Sequence, residues 1–186
     1  MKPGQIIGIF GAMGSGKTAL AIVLCRNQIA YTPDVKIYTN IPNTPGTIHI
    51  TKASMLPINT KPKILLLDEI MFTMDSRAFS SQNNKLLSRL LAYLRKINTT
   101  LVYATHDPGM VDIRLRQHTQ YAIFMKDQGK YFSFMVVDCM TEEKNIFHIK
   151  KSDSYFRYAN YDTLAFADEF TVDLTLKTGR NFRLKD

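Results

Sequence analysis

The chain has 186 residues, of which 45% are hydrophobic and 22% charged, a composition typical of one folded globular domain. No apolar run is long enough to predict a membrane span, and the apolar stretch near the N-terminus is too short for a secretory signal. The net charge of +8 gives the molecule a positive field that attracts polyanions such as nucleic acid, although charge alone does not identify a partner.

The first two-thirds of the chain alternates strand-like and helix-like segments. In chain order, the hydrophobic pattern predicts a strand at residues 5–10, a helix at 17–30, strands at 36–40 and 63–67, a helix at 84–98 and a strand at 100–105. Strands that alternate with helices favour a mostly parallel sheet flanked by helices. We therefore predict an α/β fold.

The last third of the chain has a different pattern. Residues 121–126 and 131–140 read as two strands on either side of a turn, which predicts a β-hairpin. From Thr141 onward the sequence is rich in aromatic residues and shows no clear periodicity. We predict a core at residues 1–126 and a C-terminal extension at residues 127–186, a hairpin with mixed structure that packs on the same domain.

The two cysteines, Cys25 and Cys139, are far apart in the sequence, and each lies within an apolar segment. Such a pair predicts neither a disulfide framework nor a zinc site. We expect two buried, reduced thiols in a cytoplasmic protein.

A glycine-rich loop lies between the first predicted strand and the first predicted helix. It matches the P-loop pattern G-x-x-x-x-G-K-[ST] in the strand-to-helix context that the pattern requires. The glycines let successive N–H groups face one anion, and the start of the helix adds a positive dipole end. ATP is therefore predicted to bind at Gly11, Ala12, Met13, Gly14, Ser15, Gly16, Lys17, Thr18 and Ala19. Lys17 is expected to contact the β- and γ-phosphates, and Thr18 to ligate Mg²⁺.

Two carboxylates follow the apolar strand at residues 63–67. The carboxyl ends of parallel strands form the ligand-binding edge of an open sheet, so Asp68 is expected to hold Mg²⁺ directly or through water. Glu69 is expected to polarise the water that attacks the γ-phosphate. The alternative is that Glu69 is only a surface or capping residue, which would weaken the case for hydrolysis. His106 follows the strand at residues 100–105, where it either senses the γ-phosphate or is an ordinary loop residue.

The order of these features along the chain resembles a known family. The features are residues 11–18, Tyr38–Asn40, Leu65–Glu69, Arg77, Leu94–Ile97, Asp107 and Val111–Arg116. Over roughly residues 5–126 they resemble the Zot-like and viral packaging branch of the FtsK–HerA superfamily of DNA-translocating ATPases. The nucleotide motifs are shared by many P-loop proteins, and the later arginine and aspartate pattern is the more discriminating part.

The resemblance implies a RecA/FtsK-like P-loop NTPase fold and a role for several residues. Lys17, Thr18, Asp68 and Glu69 would be the nucleotide and catalytic set, and His106 would stand where the family usually has a glutamine sensor. Arg95 matches the place of an arginine finger that acts on the neighbouring subunit, with Arg77, Arg114 and Arg116 as reserve candidates. An exposed ion pair is the alternative for each arginine. A finger of this kind requires a homo-oligomer, so a ring is expected.

The resemblance also implies partners and a place of action. Zot-like proteins of filamentous phages typically carry a membrane segment after the ATPase region, and none is visible here. This favours a motor that moves double-stranded DNA, without sequence specificity, into a preformed capsid in the host cytoplasm. A capsid or virion membrane protein is the candidate partner, and association with the virion is the alternative to a purely cytoplasmic location. The candidate DNA contacts are Lys126, Lys130, Lys150 and Lys151, which otherwise form part of a solvated face.

Three other functions are consistent with the same motifs. The first is a Zot-like assembly or export ATPase anchored through another protein. The second is a nucleoside kinase, although thymidine kinases usually carry four zinc cysteines. The third is a nucleotide-gated scaffold that docks a partner through aromatic residues, which otherwise cover an edge of the sheet: Tyr155, Phe156, Tyr158, Tyr161, Phe166 and Phe170.

Overall fold

The computed structural model describes residues 1–70 and 81–173. The strands are β1 (Ile6–Phe10), β2 (Lys36–Thr39), β3 (Ile48–His49), β4 (Lys63–Leu67), β5 (Thr99–Thr105), β6 (Tyr121–Gln128), β7 (Tyr131–Asp138) and β8 (Lys144–Lys150). The α-helices are α1 (Lys17–Tyr31), α2 (Ser81–Lys96), α3 (Ile113–His118) and α4 (Asp153–Ala159). The strands form one sheet in the order β3-β2-β4-β5-β1-β6-β7-β8.

The larger part of the sheet, the six strands from β3 to β6 in this order, is entirely parallel. All residues of β1, β4 and β5 are buried, because helices cover both faces of these strands. On one face, Leu20 and Cys25 of α1 share a core with Ile9 of β1. On the other, Leu87 and Leu94 of α2 share a core with strand residues. The predicted α/β architecture is confirmed.

The remaining part of the sheet, from β6 to β8, is antiparallel. β6 pairs with β7, and β7 pairs with β8, so the predicted hairpin is confirmed and extended by one strand. The predicted boundary between residues 126 and 127 falls within β6, so core and extension share one continuous sheet. Neither β8 nor α4 was predicted. Helix α4 packs on α1 through Ala159, which is fully buried against Ala19 and Val23.

The two cysteines differ in burial. Cys25 lies in the core, and burial raises its pKa to about 12. The prediction of a second buried thiol is wrong, because Cys139 follows the last residue of β7 and is exposed.

None of the helices in the described part of the chain is long and apolar enough to cross a membrane. Arg77 lies outside the described residues.

The contact between α1 and α4 can be tested by overfilling it. Replacing Ala159 with Leu adds atoms where Ala19 and Val23 leave no space, so we expect the free energy of unfolding to fall by about 2 kcal/mol. Arg157→Leu, on the exposed side of the same helix, is the control and should change it by less than about 0.5 kcal/mol. Urea denaturation measures both, and equal effects would contradict the packing described here.

Candidate nucleotide-binding and catalytic site

The P-loop connects β1 with α1 through a backbone that requires glycine. Gly16, at the N-cap of α1, has a φ of 87°, and a Cβ there would lie 2.8 Å from the ring of Phe132. A Cβ on Gly11 would lie 2.6 Å from the carbonyl oxygen of Met125. The loop is therefore pressed against β6 and β7, and its shape is set by these neighbours as well as by its own sequence.

The Lys17 side chain bends back over the loop. Its Nζ lies 3.0 Å from the carbonyl oxygen of Ala12 and 3.2 Å from Nδ1 of His106. Burial lowers the pKa of this ammonium group, and the nearby carboxylates of Asp68 and Glu69 partly offset that effect. A buried ammonium group at the N-terminal end of a helix is well placed to meet phosphate.

Asp68 and Thr18 join the two halves of the site. The Thr18 hydroxyl donates to Oδ2 of Asp68 over 2.6 Å. Burial raises the pKa of Asp68, whereas the hydrogen bonds from Thr18 and from the backbone of Glu69 oppose the rise. Oδ1 of Asp68 is buried and has no hydrogen-bond partner in the described part of the chain.

These oxygens fit a hard cation bound next to phosphate. Mg²⁺ typically takes one or two protein oxygens and completes its octahedral shell with phosphate and water. Oδ1 of Asp68, which has no partner in the described part of the chain, and the hydroxyl oxygen of Thr18 are metal ligands of that type. In residues 1–70 and 81–173 no cluster of three His, Cys, Asp or Glu side chains could hold a metal ion by itself.

Asn40 holds the backbone of Asp68 in place. Its side chain accepts from the Asp68 N–H at 2.9 Å and donates to the Asp68 carbonyl at 3.0 Å. The side-chain Nδ2 of Asn40 also donates to the backbone carbonyl of Asp168 at 2.8 Å. The backbone carbonyl of Asn40 accepts from the Asp168 N–H at 2.9 Å. Sequence reasoning gave Asn40 no role, although a polar residue at the carboxyl end of a parallel strand was a usable signal.

Glu69 is exposed and has a φ of 48°, a left-handed conformation that costs a non-glycine residue free energy. The conformation persists because both neighbours are fixed: Asn40 grips Asp68, and the N–H of buried Ile70 donates to the Ala104 carbonyl at 3.2 Å. Strain of this kind is concentrated at functional sites. It turns the Glu69 carboxylate out of the sheet beside Lys17 and Asp68.

His106 reaches the site from β5. Since a lysine ammonium only donates, Nδ1 of His106 accepts from Lys17, which leaves the ring proton on Nε2. Its carbonyl also accepts from the Gly11 N–H at 3.3 Å, which ties the end of β5 to the P-loop. The structure thus brings His106 together with Lys17, as the sequence predicted, and its role as a sensor stays a prediction.

A cleft of about 640 Å³ opens beside the P-loop. Its walls include Thr18, Asp68, Glu69 and His106. They also include residues 161 and 163–167, a segment for which the sequence predicted no part in nucleotide binding. Burial raises the pKa of Tyr161, and the charge of Asp68, which lines the same cleft, raises it further. The C-terminal extension therefore forms part of the candidate nucleotide site.

Arg95, Arg114 and Arg116, the predicted arginines that the structure describes, are not among the residues that line the cleft beside the P-loop. Arg95 lies in the last turn of α2, and its side chain is near Gly4, which precedes the amino end of β1. It therefore occupies the edge of the sheet opposite the nucleotide site. Arg114 lies at the start of α3, 3.9 Å from Asp112, and Arg116 lies in the last turn of that helix.

Comparison with known families settles the class of the protein. Residues 7–126 match the model of the ATPase family associated with various cellular activities, AAA. The chain belongs to the AAA family. It is an ATP-binding P-loop ATPase, as predicted from the loop and the carboxylate pair. No curated protein sequence matches this AAA ATPase.

Solved structures show where its fold recurs. It is similar to the N-terminal domain of zonula occludens toxin from Neisseria meningitidis, with a TM-score of 0.60 and 18% identity over 86% of this chain and 100% of that one. It is also similar to B204, the DNA-packaging ATPase of Sulfolobus turreted icosahedral virus, with a TM-score of 0.59 and 12% identity over 82% and 100%. B204 of the second such virus, in complex with ATP-gammaS, has a TM-score of 0.54 and 10% identity over 78% and 98%. The resemblance stated from the sequence is confirmed as a likeness of fold.

The two glycines of the loop give a matched test of the site. Gly16→Ala combines a left-handed backbone with a contact against the Phe132 ring, so we expect at least a tenfold loss of ATP affinity. Gly14→Ala has a similar φ of 74° but no atom near its Cβ, and should lose less. Isothermal titration calorimetry with ATP measures both variants. Equal losses would show that the contact with Phe132 does not shape the loop.

Proposed function

We propose that this AAA ATPase is a DNA-translocating motor that packages double-stranded DNA into a viral capsid. One observation carries the proposal: the fold matches the whole chain of a packaging ATPase, B204, and the match takes in 82% of this chain. The net charge of +8 suits a partner whose backbone is a regular array of phosphates.

Each part of the site has a role in this proposal. The P-loop amides and Lys17 bind the β- and γ-phosphates, and Glu69 orients the attacking water. Mg²⁺ is the cation that the oxygens of Thr18 and Asp68 suit, and when bound it neutralises charge on the phosphates. His106 senses the γ-phosphate through its contact with Lys17.

The proposed motor is a homo-oligomeric ring. Arg95 lies at the edge of the sheet opposite the P-loop, so it can act only on the nucleotide of another copy of the chain. Ring assembly would bring such an arginine to the neighbouring site, where it would stabilise the charge of the transferring phosphoryl group. The ring would act in the host cytoplasm at the assembling capsid, with a capsid or virion membrane protein as its docking partner.

A Zot-like assembly or export ATPase is the second candidate. The zonula occludens toxin domain overlaps 86% of this chain, slightly more than B204 does, and this observation supports it. The two candidates share the ATPase chemistry, and only the packaging motor is proposed to move double-stranded DNA. Stimulation by duplex DNA therefore separates them.

The first experiment measures ATP hydrolysis with and without duplex DNA of mixed sequence at several salt concentrations. A packaging motor should be stimulated by DNA, and the stimulation should weaken as salt rises. Glu69→Gln should lower turnover at least about 100-fold while retaining ATP binding, because the amide cannot accept the proton of water. Glu143→Gln, an exposed glutamate in the turn before β8, is the control. Indifference to DNA would defeat the packaging proposal, and transfer of phosphate to an added nucleoside would favour a kinase.

A mixing experiment tests Arg95. Arg95→Ala should abolish turnover and leave ATP affinity nearly unchanged, because the guanidinium does not contact the nucleotide of its own chain. Lys17→Ala should also be inactive, for lack of phosphate binding. If Arg95 acts between subunits, a mixture of the two variants forms some interfaces with an intact P-loop on one side and an intact Arg95 on the other. Recovered ATPase activity in the mixture is the expected result, and continued inactivity would contradict a trans finger.

A further inference from the structure

The three antiparallel strands carry four cross-strand rows of side chains on one face. In a pleated sheet, residues directly opposite each other share a face, and alternate residues along a strand return to it. The register gives the rows Ala122–Val137–Lys144, Phe124–Met135–Ile146, Lys126–Ser133–His148 and Gln128–Tyr131–Lys150. We refer to these four rows as the basic face.

The charge of the basic face has one sign. Lys126, Lys144 and Lys150 are exposed, and none of them makes an ion pair with the described part of the chain. No residue in the four rows is acidic. The aspartates of the same strands, Asp127 and Asp138, occupy the opposite face by register, and Asp127 pairs there with Lys151 over 2.5 Å.

The remaining side chains of the face suit phosphate. Ser133, Gln128 and Tyr131 carry hydroxyl or amide donors between the lysines, and these side-chain types commonly hydrogen-bond DNA phosphates. Lys144 and Lys150 lie on one strand about 20 Å apart, and the three strands span about 10 Å. A duplex presents one charge per about 1.7 Å of its axis, so a surface of these dimensions meets several phosphates at once.

We propose that the basic face binds the phosphate backbone of duplex DNA, an inference that rests on the proposed function and names the surface through which the substrate is held. Two of the four lysines predicted from the sequence as DNA contacts, Lys126 and Lys150, belong to this face, and Lys144 joins them. Lys151 does not, since it points to the opposite face, pairs with Asp127 and lies 4.5 Å from the centre of the Phe132 ring.

The apolar side chains of the face favour DNA over a lipid surface. Insertion into a membrane needs protruding apolar groups. Phe124 is only 38% exposed, because its ring packs against Phe10 at 5.4 Å, and Met135 is partly buried. Ile146, at 64%, is the one strongly exposed apolar side chain in the rows. The face thus presents exposed lysines in three of its four rows and few protruding apolar side chains.

The basic face and the nucleotide cleft share β7. Phe132 contacts Gly16 of the P-loop on one face of the strand, and its neighbours Tyr131 and Ser133 lie on the other. DNA bound to the basic face would thus contact β7, the strand that also packs against the P-loop. Loss of this contact should remove the DNA-stimulated part of ATP hydrolysis and leave the basal part.

The test replaces all three lysines, as Lys126→Gln, Lys144→Gln and Lys150→Gln together. The matched control, Lys2→Gln, Lys36→Gln and Lys61→Gln, removes the same charge from exposed positions near the amino ends of the parallel strands. Fluorescence anisotropy with a labelled duplex measures affinity over a range of salt. Each phosphate contact contributes about 0.9 to the slope of log affinity against log salt concentration. The first variant should therefore bind DNA more than about tenfold more weakly, and the magnitude of its slope should fall by about three.

Retained basal ATPase activity shows that the triple variant folds, and a triple Lys→Arg variant should bind DNA like the parent. The proposal is overturned if the triple Gln variant binds DNA as the parent does, or if the control loses as much. It is also overturned if the triple Gln variant loses both DNA binding and self-association, the latter measured by sedimentation. A third contradicting outcome is that these lysines bind the parent to phosphatidylserine vesicles and not to DNA. A parent that binds no DNA defeats the packaging function as well, which separates the two failures.

Discussion

The hydrogen bond between Thr18 and Asp68 holds the two nucleotide-binding segments of this ATPase together. It joins the first turn of α1 to the end of β4, although β5 lies between β4 and β1 in the sheet. A buried carboxylate is costly unless its oxygens are satisfied, and Thr18 satisfies only Oδ2. Oδ1 of Asp68 therefore remains available to accept a hydrogen bond or to bind a cation at this point of the site.

Local signals were sufficient to predict the core and the edge of the sheet at which the candidate site residues lie. The apolar runs of β1, β4 and β5 are buried on both faces, and their carboxyl ends place the P-loop, Asp68 and His106 along one edge. The P-loop pattern predicts a turn of the backbone towards the phosphates, because glycine is needed there, although β6 and β7 also shape the loop. Each of these predictions required only neighbouring residues and the rule that parallel strands end together.

Contacts between distant segments could not be read from the sequence. Asn40 and Asp168 are 128 positions apart, and their hydrogen bonds leave no periodic trace in either segment. Strand β8 has exposed residues at nearly every position, so it lacks the alternation that marks a half-buried strand, and its partner β7 specifies it. Helix α4 is short and is held by α1 through Ala159, a residue type that gives no signal of burial. Cys139 was misjudged because an apolar neighbourhood in the sequence does not reveal a turn beyond the end of β7.

The close packing of Phe132 against Gly16 gives β7 a mechanical part in the ATPase. The Phe132 ring occupies the space that a Cβ at Gly16 would need, so the ring and the P-loop backbone lie close together. Packed protein interiors transmit displacements, because they contain few voids that could absorb them. A change in the P-loop between nucleotide states would therefore press on β7, whose other face carries Tyr131 and Ser133. If that face holds DNA, the nucleotide state and the binding of DNA are connected through one strand, β7, which contacts the P-loop on its other face.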